Sequence, residues 1–271
     1  MSTLVRQPAV AGRFYPNNPD KLLNEIRLYT ASAGEKLRAI GCVAPHAGYM
    51  YSGHVAGAVY ARLELPRKFI ILCPNHTGIG QPLAIMSAGW WVTPLGNVEV
   101  DRALADALKQ TFSQLSEDAV AHRAEHALEV QLPFLQALVG EFSFVPIAVG
   151  VGQLDVLQEL GEAMARVIAV ETQKPLIIAS SDMNHYESDE ITRVKDHKAI
   201  DRILELDARG LYDVVKREDI SMCGYGPTVA MLTAAKRLGA HQAQVIKYGT
   251  SGDVSGDRDL VVGYAGIAVC A

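Results

Sequence analysis

The chain has 271 residues, 49% hydrophobic and 20% charged, with a formal net charge of −5. This composition can bury a substantial core and argues against a disordered chain, while mild acidity without a basic block excludes nucleic acid as a partner. No apolar run approaches the roughly 20 residues of a membrane span, and the opening MSTLVRQPAVAGRFYP lacks the apolar stretch of a secretory signal, so the sequence reads as a soluble cytoplasmic protein with no membrane partner.

In chain order, a first helix is expected over 19–31, with Asp20 near its start, where a carboxylate complements the helix dipole. The apolar run RAIGCVA, at 38–44, predicts a strand that leads into PHAGYMYSG and presents His46; a helix over 53–63 follows. A second strand, KFIILC at 68–73, ends in PNHTG and presents Asn75 and His76. A strand at 83–88 precedes a helix over 100–113, with Asp101 near its start.

The stretch AHRAEHALEVQLPFLQAL predicts an amphipathic helix over 125–138. His122 and His126 are four apart, as are Glu125 and Glu129, so a continuous helix would put each pair on one face, with Leu128, Leu132 and Leu135 in the core. The spacing is not that of an HExxH zinc helix, and the alternative is that Glu125 and His126 face a crevice.

A strand at 142–149 and a helix over 152–169 come next, then the strand PLIIASS at 175–181, whose continuation DMNHY presents Asp182, Asn184 and His185. Helices are expected over 189–206, 208–216 and 227–238; the last has Pro227 in its first turn, Gly239 past its end and Cys223 in the loop before it. Strands at 243–249 and 260–269 flank GTSGDVSGDRD, whose Gly-Asp pairs mark turns, either of a hairpin connection or of a rim of the pocket.

The alternation of strands and helices predicts an α/β sheet with helices on both faces, in a single domain over 1–271. Three strands end in polar clusters, and open α/β sheets bind ligands beyond the carboxyl ends of their strands. His46, His76 and His185 can therefore converge, and two imidazoles with one anionic ligand make a common metal site. Cys223 is one candidate anion, because a helix N-terminus lowers a thiol pKa. Asp182 is the other, or else a carboxylate that orients an imidazole. Cys42 and Cys73 lie in strand-like runs and read as buried thiols. Tyr15, Tyr49, Tyr51 and Tyr225 either shape a pocket or belong to the core.

Together, RQPAVAGRFYP, APHAGYMYSG, PNHTG, EHALEVQLPFLQ, SSDMNHY, MCGYGP and SGDVSGD followed by VVGYAGIA stand in the order found in the Memo family, which the chain resembles over essentially its whole length. Prokaryotic members are called AmmeMemoRadiSam system protein B. The resemblance implies a fold similar to the class III extradiol ring-cleaving dioxygenases, a three-layer αβα sandwich around a central mostly parallel or mixed sheet. Those enzymes hold non-haem iron with two His and one Glu. Carried over, the metal ligands fall on His46 and His76, the third ligand position on Cys223, and the general base on His185, with Asp182 beside it as the second catalytic candidate.

Cys223 departs from the dioxygenase pattern, because a thiolate is a softer ligand that suits copper or zinc as well as iron. The expectation is a redox-active iron or copper protein, a dioxygenase-like oxidoreductase. The alternatives are a metallohydrolase, with zinc, or a non-enzymatic module that binds metal or peptide. The implied partners are a small molecule or peptide, together with an AMMECR1-like protein and a radical SAM protein of the same system.

Overall fold

Along neighbouring strands, successive buried side chains alternate between two cores, as a sheet covered on both faces requires. Over Lys68–Pro74, Ile70 and Leu72 enter one core while Phe69, Ile71 and Cys73 enter the other. Ile177 and Ala179, against Leu176 and Ile178, repeat the pattern. The structure, a computed structural model, describes residues 4–31 and 34–271.

Its elements are β1 (Val5–Arg6), α1 (Pro19–Thr30), β2 (Ala39–Ala44), α2 (Tyr49–Arg62), β3 (Lys68–Pro74), β4 (Leu83–Ile85), β5 (Trp90–Thr93), β6 (Gly96–Val100), α3 (Arg102–Thr111), β7 (Ser116–Glu117), α4 (Leu132–Val139) and β8 (Ser143–Val149). There follow α5 (Leu154–Val170), β9 (Leu176–Ser180), β10 (His185–Glu187), α6 (Asp189–Leu204), α7 (Ala208–Arg217), α8 (Tyr225–Arg237), β11 (Gln242–Thr250), α9 (Gly252–Ser255) and β12 (Val261–Cys270).

The sheet runs β1-β5-β6-β8-β3-β9-β2-β12-β10, with β11 also on β12 and β4 joining β8 to β7. Strands β8, β3, β9 and β2 are mutually parallel, and β12 is antiparallel to β2. Helices α3, α5, α6, α7 and α8 cover one face, and α1, α2 and α4 the other. This is the α/β sandwich expected, with a mixed sheet. Cys42 and Cys73 are buried free thiols, as is Cys270. None of the described helices is long and apolar enough to cross a membrane.

Helix starts follow local chemistry. Asn18 and Asp101 accept hydrogen bonds from Lys21 N and Leu104 N, capping α1 and α3. Helix α2 begins at Tyr49, four residues earlier than expected, directly off the loop that carries His46. The short strands β1, β5, β6, β7 and β10 lack enough residues to show a period.

One larger expectation is corrected: the chain is not helical from 125. A single 3-10 turn at Glu129–Gln131 leads into α4, with Pro133 in its first turn. Upstream, side chains take the main-chain donors that a helix would use. Asp118 accepts from Val120 N and Glu125 from Ala127 N, while the same two carboxylates also hold Gln81 N and His76 N of the loop after β3. Leu128, Leu132 and Leu135 are nevertheless buried, as the apolar pattern predicts. The stretch 251–260 does connect an antiparallel pair, β11 and β12.

Candidate metal centre

Strand order explains why distant residues meet. Because β3, β9 and β2 are adjacent and parallel, the loops after them emerge side by side at their carboxyl ends. The loop after β2 supplies His46, that after β3 supplies His76, and that after β9 supplies Asp182 and leads into β10, which begins at His185; Cys223 comes from the turn before α8. All five line one cavity of about 560 Å³, together with Phe14, His126, Tyr186, Ser221 and Val262. A ligand atom from each of His46, His76 and Cys223 lies within 4.8 Å of the others, the spacing of a metal-binding group.

Hydrogen bonds decide which imidazole nitrogen faces the cavity. Gln131 Nε2 donates to the carbonyl of Pro45 at 3.0 Å, which fixes its amide orientation, and also to Ser180 Oγ at 2.8 Å. The Ser180 hydroxyl donates its own proton to Ala127 O at 2.6 Å, so it accepts from His46 Nδ1 at 3.0 Å. His46 Nε2 is left with its lone pair facing the Cys223 thiol. His76 Nδ1 donates to Glu125 Oε1 at 2.9 Å, and His185 Nδ1 to the Ser221 carbonyl at 2.9 Å. Each of the three imidazoles thus keeps its proton on Nδ1 and presents Nε2 as a base or ligand, the arrangement outer carboxylates and carbonyls impose on metal-binding histidines.

The charges agree with this. Burial of His46, reinforced by His76 and His126, pushes its pKa well below the usual imidazole range and keeps the ring neutral. Burial opposes ionisation of Glu125, but hydrogen bonds from His76 and Ala127 N outweigh it and hold the carboxyl at about 2. Asp182 has its pKa raised by burial; its Oδ1 accepts from His46 N at 2.7 Å and Ala47 N at 3.3 Å, tying the ends of β9 and β2 together. It thus braces the main chain of the His46 loop and is not in the three-residue group.

The expected lowering of the Cys223 pKa is corrected. Burial, then the Asp182 charge, push this thiol well above its ordinary range, outweighing hydrogen bonds to the Asp182 main chain and the Ser181 side chain. Its Sγ lies 3.2 Å from His46 Nε2.

Of the two readings of the tyrosines, Tyr15 and Tyr49 follow the core one, donating to Glu129 Oε1 and to the Val130 carbonyl. The rings of Phe14 and Tyr186, which line the cavity, escaped the sequence reading. His126, for which a place facing the crevice was the alternative to a helix face, lines the cavity and stacks on His76 with ring centres 4.7 Å apart, and with His76 and Glu125 it forms a second group of metal-ligand spacing. Its placement depends on the N-terminal segment. Buried Arg6 pairs with Glu129 and donates to the carbonyls of His122 and Glu125, while Glu129 also accepts from Ala9 N and Val10 N. This clamp explains why RQPAVAGRFYP and EHALEVQLP each carry charge into the core. The paired motifs were visible, but their partnership was not.

The fold and cavity therefore define an α/β sandwich with a His/His/Cys group at the carboxyl ends of its central strands. The family profile described as Memo-like protein matches residues 6–268, and the chain belongs to the Memo-like family. A MEMO1 family protein of Methanosarcina mazei is 46% identical over 267 residues, covering 98% of this chain and 99% of the relative. Another, from Pyrobaculum aerophilum, is 46% identical over 275 residues, covering 97% and 98%. Among solved structures, an uncharacterized protein of Escherichia coli K12 superposes with a TM-score of 0.51 at 13% identity, over 83% of this chain and 99% of that one. That likeness is one of fold.

Proposed function

We propose that this chain is a redox-active metal protein in which His46 Nε2, His76 Nε2 and Cys223 Sγ hold an iron or copper ion and His185 handles a proton of a small substrate. The observation that carries this reading is the orientation of the two ligand imidazoles: hydrogen bonds from their Nδ1 atoms, that of His46 buried and that of His76 part-buried, leave Nε2 of each as the ligand atom beside a thiol. A donor set of two imidazoles and one thiolate selects soft and borderline ions over magnesium or calcium. When bound, the ion supplies Lewis acidity and, if it is iron or copper, one-electron chemistry.

The chain's own residues do the rest. His185 Nε2, free because Nδ1 is spent on Ser221 O, accepts or returns a proton at the cavity wall. Asp182 braces the loop that presents His46. His126 and Phe14, in contact with ring centres 4.8 Å apart, form another part of the wall.

The test is elemental analysis of protein purified anaerobically without chelator, for the unaltered chain, His46→Ala and Cys223→Ser. Near-stoichiometric iron or copper, lost in both variants, is the expected result. Stoichiometric zinc would instead favour a hydrolase, which the same open ligand set and free imidazole also suit. No metal after reconstitution, or full occupancy in His46→Ala, would overturn the assignment.

A further inference from the structure

Asn184 stands between Asp182 and His185 in the chain, yet its side chain is fully buried and is spent on neighbouring elements. The carboxamide has one orientation, because Oδ1 accepts from the main-chain N of Ser221 at 3.0 Å and Nδ2 donates to Glu187 Oε2 at 2.6 Å. The same Oδ1 lies 3.1 Å from the Ser221 hydroxyl, which can donate to it. Ser221 in turn holds His185 twice: its Oγ accepts from His185 N at 2.7 Å and its carbonyl from His185 Nδ1 at 2.9 Å. The main chain of Asn184 is pinned as well, its N donating to Asp196 Oδ1 at 2.8 Å and its O accepting from Gly263 N at 2.9 Å. Buried Asp196 takes the Tyr248 hydroxyl on its other oxygen at 2.7 Å.

Exposure gives this chain of bonds a direction. Ser221 is exposed and His185 half-buried, so water competes for the bonds between them, whereas Asn184 is out of its reach and fastened to α6 and β12. Ser221 also stands two residues before Cys223, so the loop that carries the thiol is anchored at the same point. Lys195 joins the two segments a second time, pairing with Glu187 at 2.7 Å and donating to the Asp219 carbonyl at 3.0 Å. We infer that Asn184 is a positioning residue: through Ser221 it keeps the proton of His185 on Nδ1, so that Nε2 meets the cavity as the base, and it fixes His185 against the loop of Cys223. The partner of one imidazole nitrogen sets the state of the other, and Asn184 sets that partner. The inference deepens the proton-handling role proposed for His185 and rests on it.

The tautomer is read by NMR from isotope-labelled histidine nitrogens at about pH 8, where an ordinary imidazole is neutral. Spectra are taken without metal and with zinc for the unaltered chain, for Asn184→Ala and the similarly sized Asn184→Leu, and for Asn184→Asp combined with Glu187→Gln. His185 is expected to carry its proton on Nδ1 in the unaltered chain and to lose that single state in the Ala and Leu variants, with an Nε2–H form appearing. The double variant exchanges carboxylate and amide, gives Ser221 N its acceptor again, and is expected to restore the Nδ1–H form. An Nε2–H form of His185 in the unaltered chain would overturn the inference without any variant. An unchanged tautomer in whichever apolar variant folds, or a double variant that fails to restore it, would overturn it too. His46 and His76 report on the metal in the same spectra: zinc is expected to shift their Nε2 signals, and zinc that leaves both unmoved would overturn the metal reading whichever tautomer His185 shows.

Discussion

Glu125 governs the candidate centre from outside its three-residue group. One fully buried carboxylate accepts from His76 N, His76 Nδ1 and Ala127 N, so it sets at once the tautomer of His76 and the path of the loop that carries His126. Glu125→Gln puts an amide donor against main-chain donors and removes the charge facing His76. Metal affinity is expected to fall about 10- to 100-fold with a cooperative fold retained, as a competition titration against a coloured chelator would show. Unchanged affinity would mean that His76 needs no such partner.

His122 makes a different residue-scale prediction. It is fully buried, neither ring nitrogen has a hydrogen-bond partner among the described residues, and burial followed by the Arg6 charge lowers its pKa to about 4. The unfolded chain therefore takes up this proton first. Its contribution to stability is complete above the unfolded value near 6.5 and is lost as pH falls toward 4, amounting to about 3 kcal/mol. His46 and His126, also lowered, act in the same direction. Urea midpoints between pH 7 and pH 5 should fall less steeply in His122→Gln than in the unaltered chain; parallel slopes would contradict the assignment.

At the scale of elements, the N-terminal segment is a strap held by a buried ion pair. Removing one partner of such a pair leaves an uncompensated buried charge, so Arg6→Ala is expected to cost about 3–5 kcal/mol, read from urea unfolding. A cost below about 1 kcal/mol would place the strap among dispensable surface segments. The strap and its anchor also mark what sequence periodicity can reveal. The apolar alternation of β2, β3 and β9 was legible, because both faces of those strands are buried, and with it came the positions of His46, His76 and His185. The 118–128 stretch was not, because Asp118 and Glu125 take its main-chain hydrogen bonds into their side chains and no local pattern announces that. Cys223 was legible by position before α8, but its raised pKa depends on burial and on Asp182 across the fold.

For the whole molecule, the decisive fact is the neighbourhood β3-β9-β2 in the sheet. It converts three strand ends far apart in sequence into one cavity, and α8 closes the group with Cys223. Because the unfolded chain holds no such arrangement, bound metal stabilises the folded state by linkage, about 2.7 kcal/mol at a free metal concentration 100 times Kd. A rise in melting temperature on adding metal should accompany the unaltered chain and vanish in His76→Ala; a rise of equal size in both would assign the metal to another place.

The most direct test of the central claim is an X-ray absorption spectrum of the metal-loaded protein, collected for the unaltered chain and for Cys223→Ser. The account predicts one sulfur at about 2.3 Å together with two imidazoles, and loss of the sulfur in the variant. A first shell of oxygen and nitrogen alone in the unaltered protein would contradict a centre built on His46, His76 and Cys223.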